Sequence, residues 1–183
     1  SHSLIRNLEI AMKPLLRLYA VVSLDGRIAI NQSDSVRWSS EEDKKLLKKA
    51  LDTHDLFVLG RVTYEVSKEM MSDKRCLVFT KSNLRSENDN LIYFNPDTSD
   101  IEQVLKECEA TNIALFGGAQ VYRYALLNNL VKEISLTVEP LILGGGISFL
   151  GEGEPWKALE NFRLKSCKKL NDQGTLHLVY ELN

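Results

Sequence analysis

Two carboxylates and a series of small-residue turns carry the chemistry open to this chain. Asp43 follows Trp38 and the run Ser39-Ser40-Glu41-Glu42. A carboxylate there is either a first-turn charge that complements the helix macrodipole, or a group lining a pocket that orients or protonates a nitrogen heterocycle. Asp25, within Asp25-Gly26, is either a turn residue or a second catalytic carboxylate. Phe116-Gly117-Gly118-Ala119-Gln120-Val121 joins an apolar run to a helical one. Bare N–H groups at such a helix start can hold a pyrophosphate, although two glycines also make a plain tight turn. The spacing is not the G-x-G-x-x-G of a Rossmann site. Gly60-Arg61-Val62-Thr63-Tyr64 repeats the arrangement with a guanidinium and a hydroxyl added. That pair suits a ribose 2′-phosphate, or simply opens a helix with a solvated arginine. Thr80-Lys81-Ser82 is a third polar segment of this kind, and Leu143-Gly144-Gly145-Gly146 after Pro140 is the densest glycine run.

These residues need elements to position them. Leu15 to Val22 reads as a buried strand, and Asp25-Gly26 turns the chain. Ser39-x-x-Glu42 is a capping box, and Leu46, Leu47, Ala50 and Leu51 follow at helical spacing, so the pattern predicts a helix over 40–53. Apolar runs at 55–60, 75–80, 91–94, 113–116 and 133–138 predict further strands. Helices are expected over 101–108 and 119–128. Segments 162–170 and 175–182 alternate around Asn171-Asp172-Gln173-Gly174 and predict an antiparallel hairpin. Strands alternating with helices imply an α/β fold with a mainly parallel sheet covered on both faces and a C-terminal antiparallel hairpin. Ligands in such sheets bind at the carboxyl ends of the strands, where the glycine and polar turns fall.

With 183 residues the chain suits one domain, expected over 12–183. Residues 1–11 carry no fold signal and read as an N-terminal extension before Met12. A formal charge of −2, with both signs interspersed, leaves no electrostatic footprint for nucleic acid, and no apolar run reaches the roughly 20 residues of a membrane span. Three widely spaced cysteines and three histidines, without H-x-E or C-x-x-C spacing, indicate no disulfide framework and no metal site, and suit a reducing cytoplasm.

Over about 15–182 the order and spacing of these motifs resemble the superfamily that joins dihydrofolate reductases to the riboflavin-pathway pyrimidine reductases. Ser23-Leu24-Asp25-Gly26-Arg27-Ile28-Ala29, Ser35-x-x-Trp38-Ser39-Ser40-Glu41-Glu42-Asp43 and Pro140-Leu141-Ile142-Leu143-Gly144-Gly145-Gly146 are similar to the pyrimidine reductase branch. Gly60-Arg61-Val62-Thr63-Tyr64, the Trp38–Asp43 spacing, Thr137 as a support for the acid and Arg75 near a folate-glutamate arginine look more like dihydrofolate reductase. The resemblance implies a three-layer α/β/α fold, a single reductase domain, NADPH as cofactor, a pyrimidine or pterin-like substrate and a possible homodimer. It implies that Gly60, Arg61, Thr63, Thr80, Lys81, Ser82, Gly117, Gly118, Ala119, Gln120 and Val121 hold the cofactor. Ser23, Trp38, Ser39 and Thr137 would line the substrate pocket, with Asp43 and Asp25 as the catalytic carboxylates. The sequence departs from the pyrimidine reductases at Tyr19, where many carry lysine, and over Glu65 to Met71, where they carry an aspartate-proline and arginine segment. Two alternatives to a pyrimidine reductase therefore stand: a dihydrofolate reductase, and a nucleotide-binding protein that has kept the fold without catalysis.

Overall fold

The computed structural model describes residues 2–5, 8, 13–86, 88–158 and 160–183. The reading of 1–11 as an extension, and of Met12 as a start, falls largely outside these residues.

The parallel part of the fold grows from short apolar strands that have no polar face to offer water. Leu56, Phe57, Val58 and Leu59 are all at most 1% exposed. A strand buried on both faces must lie inside a sheet whose two sides are covered. That strand is β3 (Leu56–Gly60), and β1 (Leu16–Val22), β4 (Cys76–Phe79), β5 (Leu91–Phe94), β6 (Ile113–Leu115) and β7 (Val131–Val138) pair in parallel around it. The hairpin of β9 (Phe162–Lys169) and β10 (Leu176–Leu182) adds to β7 in antiparallel fashion. The strand order is β5-β4-β3-β6-β1-β7-β10-β9.

Helices α1 (Glu41–Thr53) and α2 (Arg61–Val66) cover one face, and α3 (Ile101–Glu107) and α4 (Ala119–Leu127) the other. Two clusters fill the layers. Leu16, Leu18, Val58, Leu77 and Leu115 meet Ile101, Leu105, Val121 and Ala125 on the α3–α4 side. Phe57, Leu59, Val78 and Ala114 meet Tyr64, Leu51 and Met71 on the other. Each fully buried side chain of this size contributes roughly 1.5–3 kcal/mol, so the sheet is a rigid platform for whatever its strand ends carry.

The expected α/β/α architecture is present, with two differences. Residues Arg27–Ala29 (β2) and Ile147–Ser148 (β8) form a separate two-stranded ribbon. Gly146 makes the close approach possible: a Cβ on it would lie 2.3 Å from the Ala29 carbonyl oxygen, and its φ is +94°. The second difference is at the start of α1. Ser40, not Ser39, is the N-cap, and its hydroxyl accepts from the Asp43 N–H at 3.2 Å. Ser39 instead donates its hydroxyl to the Val36 carbonyl at 3.1 Å, so the capping pair is Ser40–Asp43 rather than Ser39–Glu42.

Candidate functional site

β3 ends at Gly60 and α2 begins at Arg61; β6 is followed by Gly117-Gly118 and α4 begins at Ala119. Neither N-cap glycine has a side chain to satisfy the first helical N–H groups. The two turns are joined, because the Gly60 N–H donates to the Gly117 carbonyl at 2.7 Å. Gly117 has φ +100°, and a Cβ there would meet the Tyr122 ring at 3.0 Å. The Gly117–Gly118 peptide is cis. Two sets of helix-start donors thus open side by side, a geometry suited to a diphosphate.

A cleft of 1460 Å³ begins at these turns and follows the strand ends across the sheet. It is larger than the roughly 300–1,000 Å³ of a single small-ligand pocket, so its volume leaves room for two ligands. Its lining follows the strand order: Thr80 and Lys81 after β4, Gly60, Arg61 and Thr63 after β3, Gly118 to Val121 after β6, then Tyr19 and Val21 of β1, and Ser135 and Thr137 of β7. Asp43 and Ser39 close it from the α1 side.

At the Thr80 end, Arg61 Nη1 lies 3.5 Å from Ser82 Oγ, and Lys81 pairs with Asp97 at 3.5 Å. Both cations are exposed and reach the same corner, with the Asp97 carboxylate opposing them.

At the other end stands Asp43. Burial pushes its carboxyl up to about 6; a hydrogen bond from the Thr137 hydroxyl pulls the other way, and the nearby Glu139 carboxylate adds to the rise. A carboxyl balanced near neutrality beside an apolar cleft can both hold and release a proton at working pH. Glu139 is only 3% exposed. It accepts from the Ser40 N–H and hydroxyl, and its other oxygen accepts from Thr175 Oγ1 at 2.9 Å. Asn171 extends this network by donating to Thr175 Oγ1 at 2.9 Å.

Of the residues expected in the site, Ser39, Asp43, Gly60, Arg61, Thr63, Thr80, Lys81, Gly118, Ala119, Gln120, Val121 and Thr137 line the cleft. Gly117 and Ser82 are not part of the lining: Gly117 shapes its turn, and Ser82 is exposed beside Arg61. Asp25 is elsewhere. Its carboxylate accepts from Ser23 Oγ at 2.5 Å, from the Leu143 N–H at 3.1 Å and from the Gly144 N–H at 2.8 Å. The Ser23 hydrogen bond is the largest influence holding it near 2, so Asp25 is an ionised clamp that ties the first turn to the glycine loop. Ser23 is buried in that clamp. Trp38 also stands outside the cleft, donating Nε1–H to Asp34 Oδ2 at 3.1 Å. Arg75 is turned away from it, donating to the Cys108 carbonyl at 2.5 Å. Reasoning from sequence missed Glu139, which reads there only as the residue before Pro140, and it missed the hydroxyls of Tyr19 and Ser135.

Known proteins share both the sequence pattern and the shape. The dihydrofolate reductase family model matches residues 17–146. An uncharacterized protein of Bacillus subtilis, YwjB, is 32% identical over 170 residues, covering 88% of this chain and 95% of the relative. Among solved structures, a putative riboflavin biosynthesis protein from Shewanella sp. PV-4 superposes with a TM-score of 0.74 at 19% identity, over 92% of this chain and 99% of that one. A pyrimidine reductase-like protein from Corynebacterium diphtheriae gives 0.73 at 15% identity, over 96% and 94%. The diaminohydroxyphosphoribosylaminopyrimidine deaminase/5-amino-6-(5-phosphoribosylamino)uracil reductase of Thermotoga maritima gives 0.75 at 15% identity; the match covers 95% of this chain and 58% of that longer one.

Proposed function

Since the chain belongs to the dihydrofolate reductase family, we propose that it is an NADPH-dependent reductase acting on a pyrimidine-type heterocycle, with dihydrofolate as the alternative substrate. The observation that carries this reading is one continuous cleft with uncapped helix starts at one end and a carboxyl near neutrality at the other.

The residues fit the cofactor. Gly60 and Gly118 leave room where their neighbours already crowd: a Cβ on Gly60 would sit 3.2 Å from Val121 Cγ2, and one on Gly118 would sit 3.4 Å from Thr63 Oγ1. The N–H groups of Ala119 and Gln120 would hold the diphosphate, with Thr63 beside them. Arg61 and Lys81 would hold the 2′-phosphate, the only feature separating NADPH from NADH. When bound, the nicotinamide supplies a hydride to the substrate.

The remaining chemistry belongs to the chain. Asp43 would hold a proton at its carboxyl and either donate it to the heterocycle or orient a ring nitrogen. Thr137 would fix that carboxyl by hydrogen bonding. Leu46, Leu47, Val66 and Met70 line the cleft as apolar surface on which a flat ring would pack. The same surface supports the dihydrofolate alternative, because it suits an aryl group as well as a bare pyrimidine ring.

The decisive assay follows NADPH absorbance with the ribosylamino-pyrimidine phosphate and with dihydrofolate in parallel. Oxidation of NADPH with either supports the reading and selects the substrate. Tight NADPH binding without turnover of any pyrimidine or pterin would point to a nucleotide-binding protein instead.

A further inference from the structure

The hairpin turn Asn171-Asp172-Gln173-Gly174 does more than reverse the chain between β9 and β10. The Asn171 side-chain oxygen accepts from the Gly174 and Thr175 N–H groups at 3.1 and 3.0 Å. Its amide nitrogen donates to Thr175 Oγ1 at 2.9 Å and to Glu42 Oε2 at 3.2 Å. A primary amide has two hydrogens to give and two lone pairs to fill, so all four are used. The reversed amide would set its oxygen against the Glu42 carboxylate and its NH2 against two donors, which fixes its orientation.

Thr175 continues the chain of bonds. With Asn171 donating to its oxygen, its own hydrogen goes to Glu139 Oε2. The other Glu139 oxygen accepts from the N–H and hydroxyl of Ser40. Thr175 and Glu139 are 1% and 3% exposed, so water does not readily replace a partner lost here. The hairpin turn thus grips the start of α1 twice: at Glu42 directly, and at the N-cap Ser40 through Thr175 and Glu139. Asp43 follows Glu42 in the same helical turn, and its N–H donates to the Ser40 hydroxyl. A shift of that turn would carry Asp43 away from the Thr137 hydroxyl on β7.

The other groups that act on Asp43 stand outside the hairpin turn. Thr137 and Glu139 face it from β7, and Lys44, paired with Glu41 at 3.0 Å, acts from its own helix. Tyr122 of α4 feels the Asp43 charge, but its hydroxyl is committed to the Tyr19 carbonyl at 2.5 Å. Glu42 is held below the ordinary carboxylate range first by its own N–H, then by Asn171 and by Lys45, so this tether is charged at neutral pH.

We propose that Asn171 and Thr175 are positioning residues for the candidate acid: the hairpin turn holds the start of α1 so that Asp43 stays buried against Thr137. This deepens the reductase reading and rests on it for the role of Asp43.

The test uses Asn171→Ala, Thr175→Val and Thr175→Ser, none of which adds a charge near Asp43. Carbon-13 NMR of the side-chain carboxyls, with the Asp43 signal assigned by Asp43→Asn, follows its midpoint directly. Burial is the largest influence on Asp43, and a loosened helix start admits water. The midpoint should therefore fall from about 6 by about half a pH unit or more in Asn171→Ala and Thr175→Val. Thr175→Ser keeps the hydroxyl and should match the wild type. In the NADPH assay kcat should drop about tenfold in the first two variants, while KM and NADPH affinity hold. Unmoved midpoints in these two variants, with thermal melts showing both folded, would overturn the proposal. A Thr175→Ser protein that behaved like Thr175→Val would overturn it too. Should Asn171→Ala not fold, the near-isosteric Thr175→Val decides alone. Absence of NADPH oxidation with either substrate would instead remove the reductase reading, while the carboxyl midpoint still decides the role of the hairpin turn.

Discussion

The Glu139 carboxylate accepts both the backbone N–H and the hydroxyl of Ser40, at 2.9 and 2.6 Å. Ser40 caps α1 and so fixes the turn that bears Asp43. A buried acid at the end of one strand thereby holds the start of the helix that carries the candidate catalytic acid. It also places a second negative charge near that acid.

Replacing Glu139 with Gln removes the charge and keeps the shape. Glu139 is among the influences that raise Asp43, so the variant's pH–rate inflection should move below the wild-type value of about 6. The amide also sets an NH2 against a donor, costing about 1–3 kcal/mol of stability. An unmoved inflection in a folded Glu139→Gln protein would leave Glu139 with a purely architectural role.

Asp43→Asn should lower kcat/KM by about 10²-fold or more while NADPH affinity holds. The sign for stability is opposite. A carboxyl raised from 3.8 to about 6 binds its proton more tightly folded than unfolded, so wild-type stability falls as pH rises from about 4 to about 6. The asparagine variant lacks that loss and should be the more stable protein at pH 7, by as much as about 3 kcal/mol. Denaturant melts at pH 4.5 and 7 check the crossover.

Asp25→Asn should weaken the clamp on Leu143 and Gly144 without moving the inflection near 6, since a carboxyl held near 2 is ionised throughout that range. A pH profile that changed shape in this variant would return Asp25 to the catalytic group.

At the nucleotide end, Arg61→Ala should weaken NADPH about tenfold or more and NADH little, because only NADPH presents the 2′-phosphate. Asp97→Asn should do the reverse and tighten NADPH, since Asp97 opposes Lys81 at 3.5 Å. Equal effects on the two cofactors in calorimetric titrations would deny this corner its role.

Gly146→Ala is expected to be the most disruptive single methyl in the cleft wall. Its Cβ would overlap the Ala29 carbonyl in a positive-φ conformation, so a loss of about 2 kcal/mol or more should accompany opening of the β2–β8 ribbon. Thermal melts and proteolysis near Ala29 would register both.

The long strands and helices were legible from sequence because their signals are local: β3 is a continuous apolar run, and α1 carries a Leu46, Leu47, Ala50, Leu51 stripe. The ribbon was not, since strands of two and three residues carry no period to detect. The cap was misread because Ser39 and Ser40 both have an acidic residue three positions on, and only the approach of Glu139 selects Ser40. The glycine turns and the Asp43–Thr137 pair follow motif spacing and were readable. Glu139, Ser135 and His177 were not, because each becomes informative only once β7 lies between β1 and β10.

That sheet order also has a kinetic consequence. The shell around Asp43 draws on Ser40, on Thr137 and Glu139, and on Thr175 beyond the hairpin turn. Contacts so far apart in sequence form slowly, because long loops must close first. During synthesis the two glycine turns, whose flanking strands and helices are all made once α4 has emerged, can be in place while the acid still lacks its last support. The surroundings of Asp43 would then be the last part of the cleft to be completed, and the docking of β10 marks that step.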